Sequence, residues 1–259
     1  MKPREFLLWS LAGLPALLLI LVPLLALAGR TSPLAVWETL GQRDALESVF
    51  LSLSTTFLAV CLVTVIGFPL AYLVARSRST FARAVDAISD LPIVLPPAAA
   101  GIALLAAFGR EGLVGQPLDR IGIQVTFTSA AVVIAQVFVA LPYFVRSAAE
   151  GLRAVDPDTF SAGAVDGASV MQTISKIVLP QCKGALWAGI LLAWARALGE
   201  FGATLMFAGN FVGRTQTVPL AIYAGFESDL NVAIALSVVL LALAVFFLVT
   251  ARLAVRGQG

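Results

Sequence analysis

The chain has 259 residues, of which 59% are hydrophobic and only 12% charged, with a formal net charge of +2. A soluble domain carries about 25% charged residues, so this composition excludes a soluble globular protein and points to an integral membrane protein. The small net charge leaves no footprint for nucleic acid, and the absence of histidine removes His-based acid/base chemistry, His metal sites and the HExxH protease pattern together. Cys61 lies in an apolar run and Cys182 beside a polar segment. They offer neither a disulfide framework nor a CxxC metal pair, and both read as structural.

A helix needs about 20 predominantly apolar residues to cross a bilayer. Six stretches qualify, at roughly 6–28, 49–75, 87–108, 126–149, 185–209 and 231–252, and they predict an all-α fold of six transmembrane helices. Lys2 and Arg4 precede the first, and Ala26-Leu27-Ala28 is similar to a signal-peptidase site. Its apolar run exceeds the length of about 7–15 residues usual for a signal peptide, so a retained helix is expected. With both termini inside, the cytoplasmic side holds eleven basic residues: Lys2, Arg4, Arg76, Arg78, Arg83, Arg146, Arg153, Lys176, Lys183, Arg252 and Arg256. Five lie outside, namely Arg30, Arg43, Arg110, Arg120 and Arg214, and Arg196 falls within a span. This asymmetry predicts cytoplasmic termini and places 150–184 on the same side. There is no internal repeat or linker, so 1–259 reads as one membrane domain, with a first helix and outer loop over 1–47 and a core over 48–252.

The third span opens with Asp90-Leu91-Pro92-Ile93-Val94-Leu95-Pro96-Pro97. Each proline removes a backbone donor and disfavours helix in the residue before it. Broken backbone at membrane depth is tolerated only where protein or a water-filled cavity covers it. Two readings are open: a pathway-lining segment marked by Pro96 and Pro97, or a helix that merely starts late, near Pro97. Gly101 and its neighbouring alanines permit close helix packing in either case. The outer loops, Gly109 to Gln124 and Asn210 to Asp229, suit ordered turns with a structural job, docking of an external partner being the second possibility.

Between the fourth and fifth spans, Ser161 to Pro180 reads SAGAVDGASVMQTISKIVLP. Asp156 as N-cap and Pro157 at the first helical position predict a short helix to about Val165. Gly167 then permits a turn that residues with a Cβ take only at a cost. Ser169 to Ile177 gives a second helical pattern, which Pro180 is expected to end. This segment resembles the EAA loop of ABC-transporter permeases, whose pattern is EAA, three residues, G, nine residues, I, one residue, LP. Gly167, Ile177, Leu179 and Pro180 stand at the matching positions, while Ser161, Ala162 and Gly163 replace the triplet and keep its middle alanine. The resemblance implies a cytoplasmic coupling helix that docks into a groove of an ATPase subunit. Ser161, Ala162, Gly163, Asp166, Gly167, Ala168, Ile177, Leu179 and Pro180 would carry that contact. An ordinary cytoplasmic helix-turn-helix is the plainer alternative.

The fifth span contains Trp194 to Asn210, WARALGEFGATLMFAGN. Arg196 and Glu200 are four apart, so on a helix they share a face and can pair. A charge at the centre of a membrane helix costs about 2.5–3.5 kcal/mol on insertion scales, so such groups face the bundle interior. The pair is either a self-neutralising structural element or, with Thr204 one turn on, part of a pathway or gate. RALGEFGATLMFAGN, TQTVPLAIY at Thr215 to Tyr223 and LPIVLPPAAAGIALL at Leu91 to Leu105 together resemble the permeases of molybdate/tungstate ABC importers. Sulfate/thiosulfate permeases are the nearest relatives of that family.

The resemblance implies the type I ABC importer fold and a permease subunit that moves a tetrahedral oxyanion, molybdate or tungstate before sulfate. It further implies a homodimer of this chain in the prokaryotic cytoplasmic membrane, two cytoplasmic ABC ATPase subunits and an extracytoplasmic oxyanion-binding protein. The chain has no GxxxxGK[ST] phosphate loop, so ATP and Mg would be bound by the partner subunit, and no enzyme activity or cofactor is expected here. A sulfate/thiosulfate permease is the first alternative. An ATPase-independent secondary transporter or channel is the second, and it gives no reason for the spacing from Gly167 to Pro180.

Overall fold

Every regular element among the described residues of the computed structural model (3–156, 158–159 and 169–256) is helical. Helix α1 spans Pro3–Ala28 and α2 spans Pro33–Leu40. Ser32 caps α2, its Oγ accepting from the Ala35 N–H at 3.1 Å, and Pro33 takes the first position, where a missing N–H costs nothing. The long α3 runs over Arg43–Arg76, followed by α4 (Thr80–Ser89), α5 (Leu91–Val94) and α6 (Pro97–Phe108). Helices α7 (Gly115–Arg120) and α8 (Ser129–Ala154) come next. Then follow α9 (Val170–Leu198), α10 (Gly202–Ala208), α11 (Val218–Ser228) and α12 (Leu230–Arg256).

Among the described residues, the five helices α1, α3, α8, α9 and α12 are each long and apolar enough to cross a membrane. The expected third span is different. Thr80–Val94 and Pro97–Phe108 meet at 117°, because Pro96 and Pro97 leave the preceding turn without donors and force extended backbone at Leu95, ψ 132°. Helix α6 alone has 12 residues, about 18 Å at 1.5 Å per residue, against roughly 30 Å of hydrocarbon. The late-start reading is therefore right about where the helix begins. It does not supply a full-length crossing.

Helices α3, α8 and α9 make the core, with Val63, Ala71, Phe144, Ala148, Leu152, Cys182 and Ala193 buried together. Alanines at the contacts let the backbones approach closely, which is how membrane helices gain packing energy when lipid is as apolar as their side chains. Large apolar groups such as Phe57, Val65 and Phe246 point outward instead. A second cluster joins α6, α8 and α10 through Ala100, Leu104, Ala131, Ala135, Ala203 and Phe207.

Two further expectations are corrected. The second outer loop is more than turns: α11 has Val218, Leu220, Ala221 and Gly225 buried, and Val218 and Ala221 pack with Ala45 of α3 and Leu236 of α12. Its apolar residues recur at helical spacing and Pro219 sits in its first turn, so the local pattern is that of an amphipathic helix. Nor does Pro180 end a helix. Ser169 and Gln172 form a capping box, Ser169 Oγ accepting from Gln172 N at 3.3 Å and Gln172 Oε1 from Ser169 N at 2.8 Å. The helix then continues through a π turn at Ile174–Val178 and on to Leu198. Leu179 N donates five residues back to Ile174 O, and this wider turn absorbs the proline, which has no N–H to place and whose ring would crowd the carbonyl of Lys176 in regular helix. The expected fifth span of 185–209 is thereby shifted to Val170–Leu198.

Candidate translocation site at two interrupted spans

Helix α9 stops at Leu198, and α10 resumes at Gly202. Three residues separate them, and Glu200 is the centre of the break. Its side chain is 1% exposed, and Oε2 lies 2.6 Å from Arg196 Nη1. Oε1 accepts from the Ala203 N–H at 2.7 Å. The expected ion pair thus forms, but Arg196 and Glu200 do not share a continuous helix. One carboxylate neutralises a cation on the outgoing helix and caps the incoming one, where free N–H groups favour an anion.

The other side of the break is held by a residue that the sequence pattern left unmarked. Gln136 of α8 is 1% exposed. Its Nε2 donates to the Ala197 carbonyl at 3.2 Å and to Thr56 Oγ1 at 3.2 Å. Ala197 O also accepts from Glu200 N at 3.2 Å, so one amide links the end of α9 to α3 as well as to α8. The one signal in the sequence is a lone amide within the apolar run of α8, since a polar group in a membrane helix seldom lacks a buried partner. Leucine at Gln136 leaves the Thr56 hydroxyl without its buried donor. Gln136→Leu is therefore expected to cost about 1–3 kcal/mol, measured as a lowered thermal midpoint of the detergent-solubilised protein. An unchanged midpoint would show that the amide does not support the break.

The two interrupted spans touch at their breaks. A Cβ added at Gly101 of α6 would lie 2.8 Å from Ala203 O and 2.7 Å from Met206 Cβ, both on α10. One added at Gly202 would lie 2.6 Å from Pro97 Cβ. Pro96 is the N-cap of α6 and Pro97 its first residue, so Pro96, Pro97, Arg196, Glu200 and Thr204 are gathered around one junction. Thr204 is fully buried, and its Oγ1 has no hydrogen-bond partner among the described residues. The same holds for Gln136 Oε1. Short helices, buried polar atoms and a self-neutralised ion pair meet at this junction.

Of the expected coupling residues, Ile177 lies in the π turn, and Leu179 and Pro180 stand where regular α-helix resumes after it. Ser161, Ala162, Gly163, Asp166, Gly167 and Ala168 lie outside the described residues. On the same side of the bundle, Arg146 of α8 makes a two-pronged contact with Asp90, Nε to Oδ1 and Nη2 to Oδ2 each at 2.7 Å. Arg153 reaches Asp86 at 3.9 Å, and Arg76 donates to Val155 O at 3.4 Å. These contacts tie α3, α4 and the Asp90 junction to the end of α8. Arg146 is 59% exposed and Asp90 28%, so solvent screening keeps their energetic contribution modest and their value is geometric.

The molecule is thus a multi-pass helical bundle in which two short helices, α6 and α10, meet at a polar junction. The chain belongs to the family of binding-protein-dependent transport system inner membrane components, whose pattern it matches over residues 67–256, and it is a permease subunit of an ABC importer. It is 39% identical over 257 residues to the molybdenum transport system permease protein ModB of Mycobacterium tuberculosis, covering 99% of this chain and 94% of that one. It is 33% identical over 235 residues to the sulfate transport system permease protein CysT of Salmonella typhimurium, covering 89% of this chain and 85% of that one. Its fold is similar to that in the crystal structure of a bacterial ABC transporter involved in the import of the acidic polysaccharide alginate. There the TM-score is 0.75 at 17% identity, over 98% of this chain and 96% of that one. Family membership removes the expectation of an ATPase-independent transporter or channel.

Proposed function

We propose that this chain moves a tetrahedral oxyanion, molybdate or tungstate, across the cytoplasmic membrane, using energy from ATP hydrolysed by a partner subunit. The observation that carries the substrate is the 39% identity to a molybdenum permease along 99% of the chain, against 33% along 89% for a sulfate permease. Two copies form one pathway, two ATPases bind their cytoplasmic segments, and an external binding protein delivers the anion. The excess of basic residues at the termini and over 150–184 supports a cytoplasmic location for all three. Because selection happens on the binding protein, the permease needs a gated polar path more than a tight site. The Arg196–Glu200 junction suits that role, being neutral at rest and able to present Arg196 to an anion when it rearranges. The contact with the ATPase is assigned to Ser161, Ala162, Gly163, Asp166, Gly167, Ala168, Ile177, Leu179 and Pro180. ATP and Mg belong to that partner.

The test is uptake of labelled molybdate by the importer reconstituted in vesicles with its ATPase and loaded binding protein. ATP-dependent uptake is expected, with sulfate competing poorly even at a hundredfold excess. Efficient sulfate uptake without molybdate uptake would reassign the chain to the sulfate permeases.

A further inference from the structure

The loops that follow the two half-length helices converge on one outer cavity of about 740 Å³. Its lining includes Arg110 and Gln124 from the first loop, Thr126 and Phe127 just before α8, and Phe211 and Arg214 from the second loop. No acidic residue lines it. Among the described residues neither arginine forms an ion pair with a carboxylate. Arg110 leans on the Gln124 side chain, whose carbonyl, turned toward it, accepts from the guanidinium. The neutral amide orients the cation without cancelling its charge, so two positive charges share one concave surface.

The cavity is built rather than incidental. Phe127 holds a left-handed backbone, φ 60°, which a bulky residue keeps only when its surroundings impose it. The Phe127 ring packs edge-on against Phe211, with centroids 6.1 Å apart. Ser129 Oγ donates to the Arg214 carbonyl at 2.8 Å, pinning the second loop to the start of α8. Thr126, 5% exposed, is part of the lining. The two loops are therefore locked to each other, and their arginines are presented from a fixed frame.

Resting on the oxyanion reading above, we propose that this cavity is the acceptor site of the permease, where the released dianion is held by Arg110 and Arg214 before it reaches the junction at Glu200. Arginine donors match the oxygens of a tetrahedral oxyanion in pairs, and a dianion balances two guanidinium charges. The position fits, since the cavity lies at the outer ends of α6 and α10, the two helices whose breaks form the polar junction. A concave basin that carries two guanidinium groups suits a small hydrated anion better than a protein surface, which would need a broader and flatter patch.

The experiment uses the reconstituted importer with its ATPase and binding protein, with labelled molybdate as the probe. Arg110→Gln/Arg214→Gln is expected to lower molybdate transported per ATP hydrolysed at least tenfold, while affinity for the loaded binding protein stays within twofold. Arg110→Lys/Arg214→Lys should recover part of the loss, because charge is kept and the paired donor geometry is not. Arg120→Gln, an outer-loop arginine outside the cavity, should transport normally. Full transport by the Gln/Gln variant would overturn the proposal. Weakened capture of the loaded binding protein would overturn it too, by making the arginines a docking contact for that partner. If the unmodified importer moves no oxyanion at all, the substrate reading itself falls, a result distinct from either of these.

Discussion

Glu200→Ala is expected to prevent stable assembly of the importer, whereas Arg196→Gln/Glu200→Gln assembles and does not transport. Alanine at Glu200 removes two interactions at once: the 2.6 Å pair with Arg196 and the 2.7 Å acceptance from Ala203 N. Breaking one side of a buried ion pair typically costs about 3–5 kcal/mol, because the remaining charge is left uncompensated. Arg196 is 26% exposed, which moves the expectation toward the lower figure. Loss of the acceptor at the start of α10 adds about 1 kcal/mol. The double glutamine variant leaves no orphan charge, and the amide carbonyl that replaces the Glu200 carboxylate can still take the Ala203 N–H, so most of that penalty disappears. What it lacks is a cation to offer a passing anion and a carboxylate to neutralise that cation at rest. Assembly is measured by co-purification of the ATPase, function by molybdate uptake. Normal uptake by the double variant would make the pair a packing element and move the gate to the Pro96–Pro97 break.

Gly101→Val is the other change expected to abolish transport. Two of the three atoms nearest to an added Cβ are backbone, Ala203 O at 2.8 Å and Ala203 Cα at 2.9 Å, and the third is Met206 Cβ at 2.7 Å. None is the far end of a flexible side chain, so relief requires α6 and α10 to separate. Overpacking of this kind costs about 1–3 kcal/mol. The functional effect should exceed that figure, since the displaced helices carry both breaks of the polar junction. Gly184→Val is the control, because a Cβ there meets nothing within 4 Å. Equal uptake by the two variants would show that contact between the half-length helices is not needed.

The two breaks are not equally legible in the sequence. The one in the third span is written in covalent chemistry: Pro96-Pro97 removes donors wherever it stands, so an interruption there follows from residue types alone. The one at Glu200 carries the local pattern of ordinary helix. An arginine and a glutamate four apart pair as readily on a continuous turn as across its end, and Gly199 and Gly202 suit close packing as well as a break. What decides is the tertiary contact of the Gln136 amide on Ala197 O, with the Glu200 carboxylate then capping Ala203 N three residues on. Pro180 misleads in the opposite direction. Its stop signal is real, but a π turn removes the clash, and nothing in Ile174–Val178 announces five-residue hydrogen bonding. The ion pair and the spans over α1, α3, α8 and α12 are legible because each depends on residue type and interval, with no partner required.

Helix α9 has 29 residues from Val170 to Leu198, about 43 Å at 1.5 Å per residue. Under the proposed coupling role, its lower end rides on the ATPase and its upper end stops two residues short of Glu200. No hinge loop intervenes, and the one compliant place is the π turn beside Pro180. Such a rod behaves as a lever with its soft spot near the hand. A tilt of about 5° imposed by the ATPase arrives as about 2 Å of travel at the Arg196 end, at 1.5 Å of rise per residue, enough to stretch an ion pair 2.6 Å long beyond contact. Stiffening the base by restoring regular α-helix around Pro180 should therefore alter the stroke delivered per ATP while leaving the junction itself untouched.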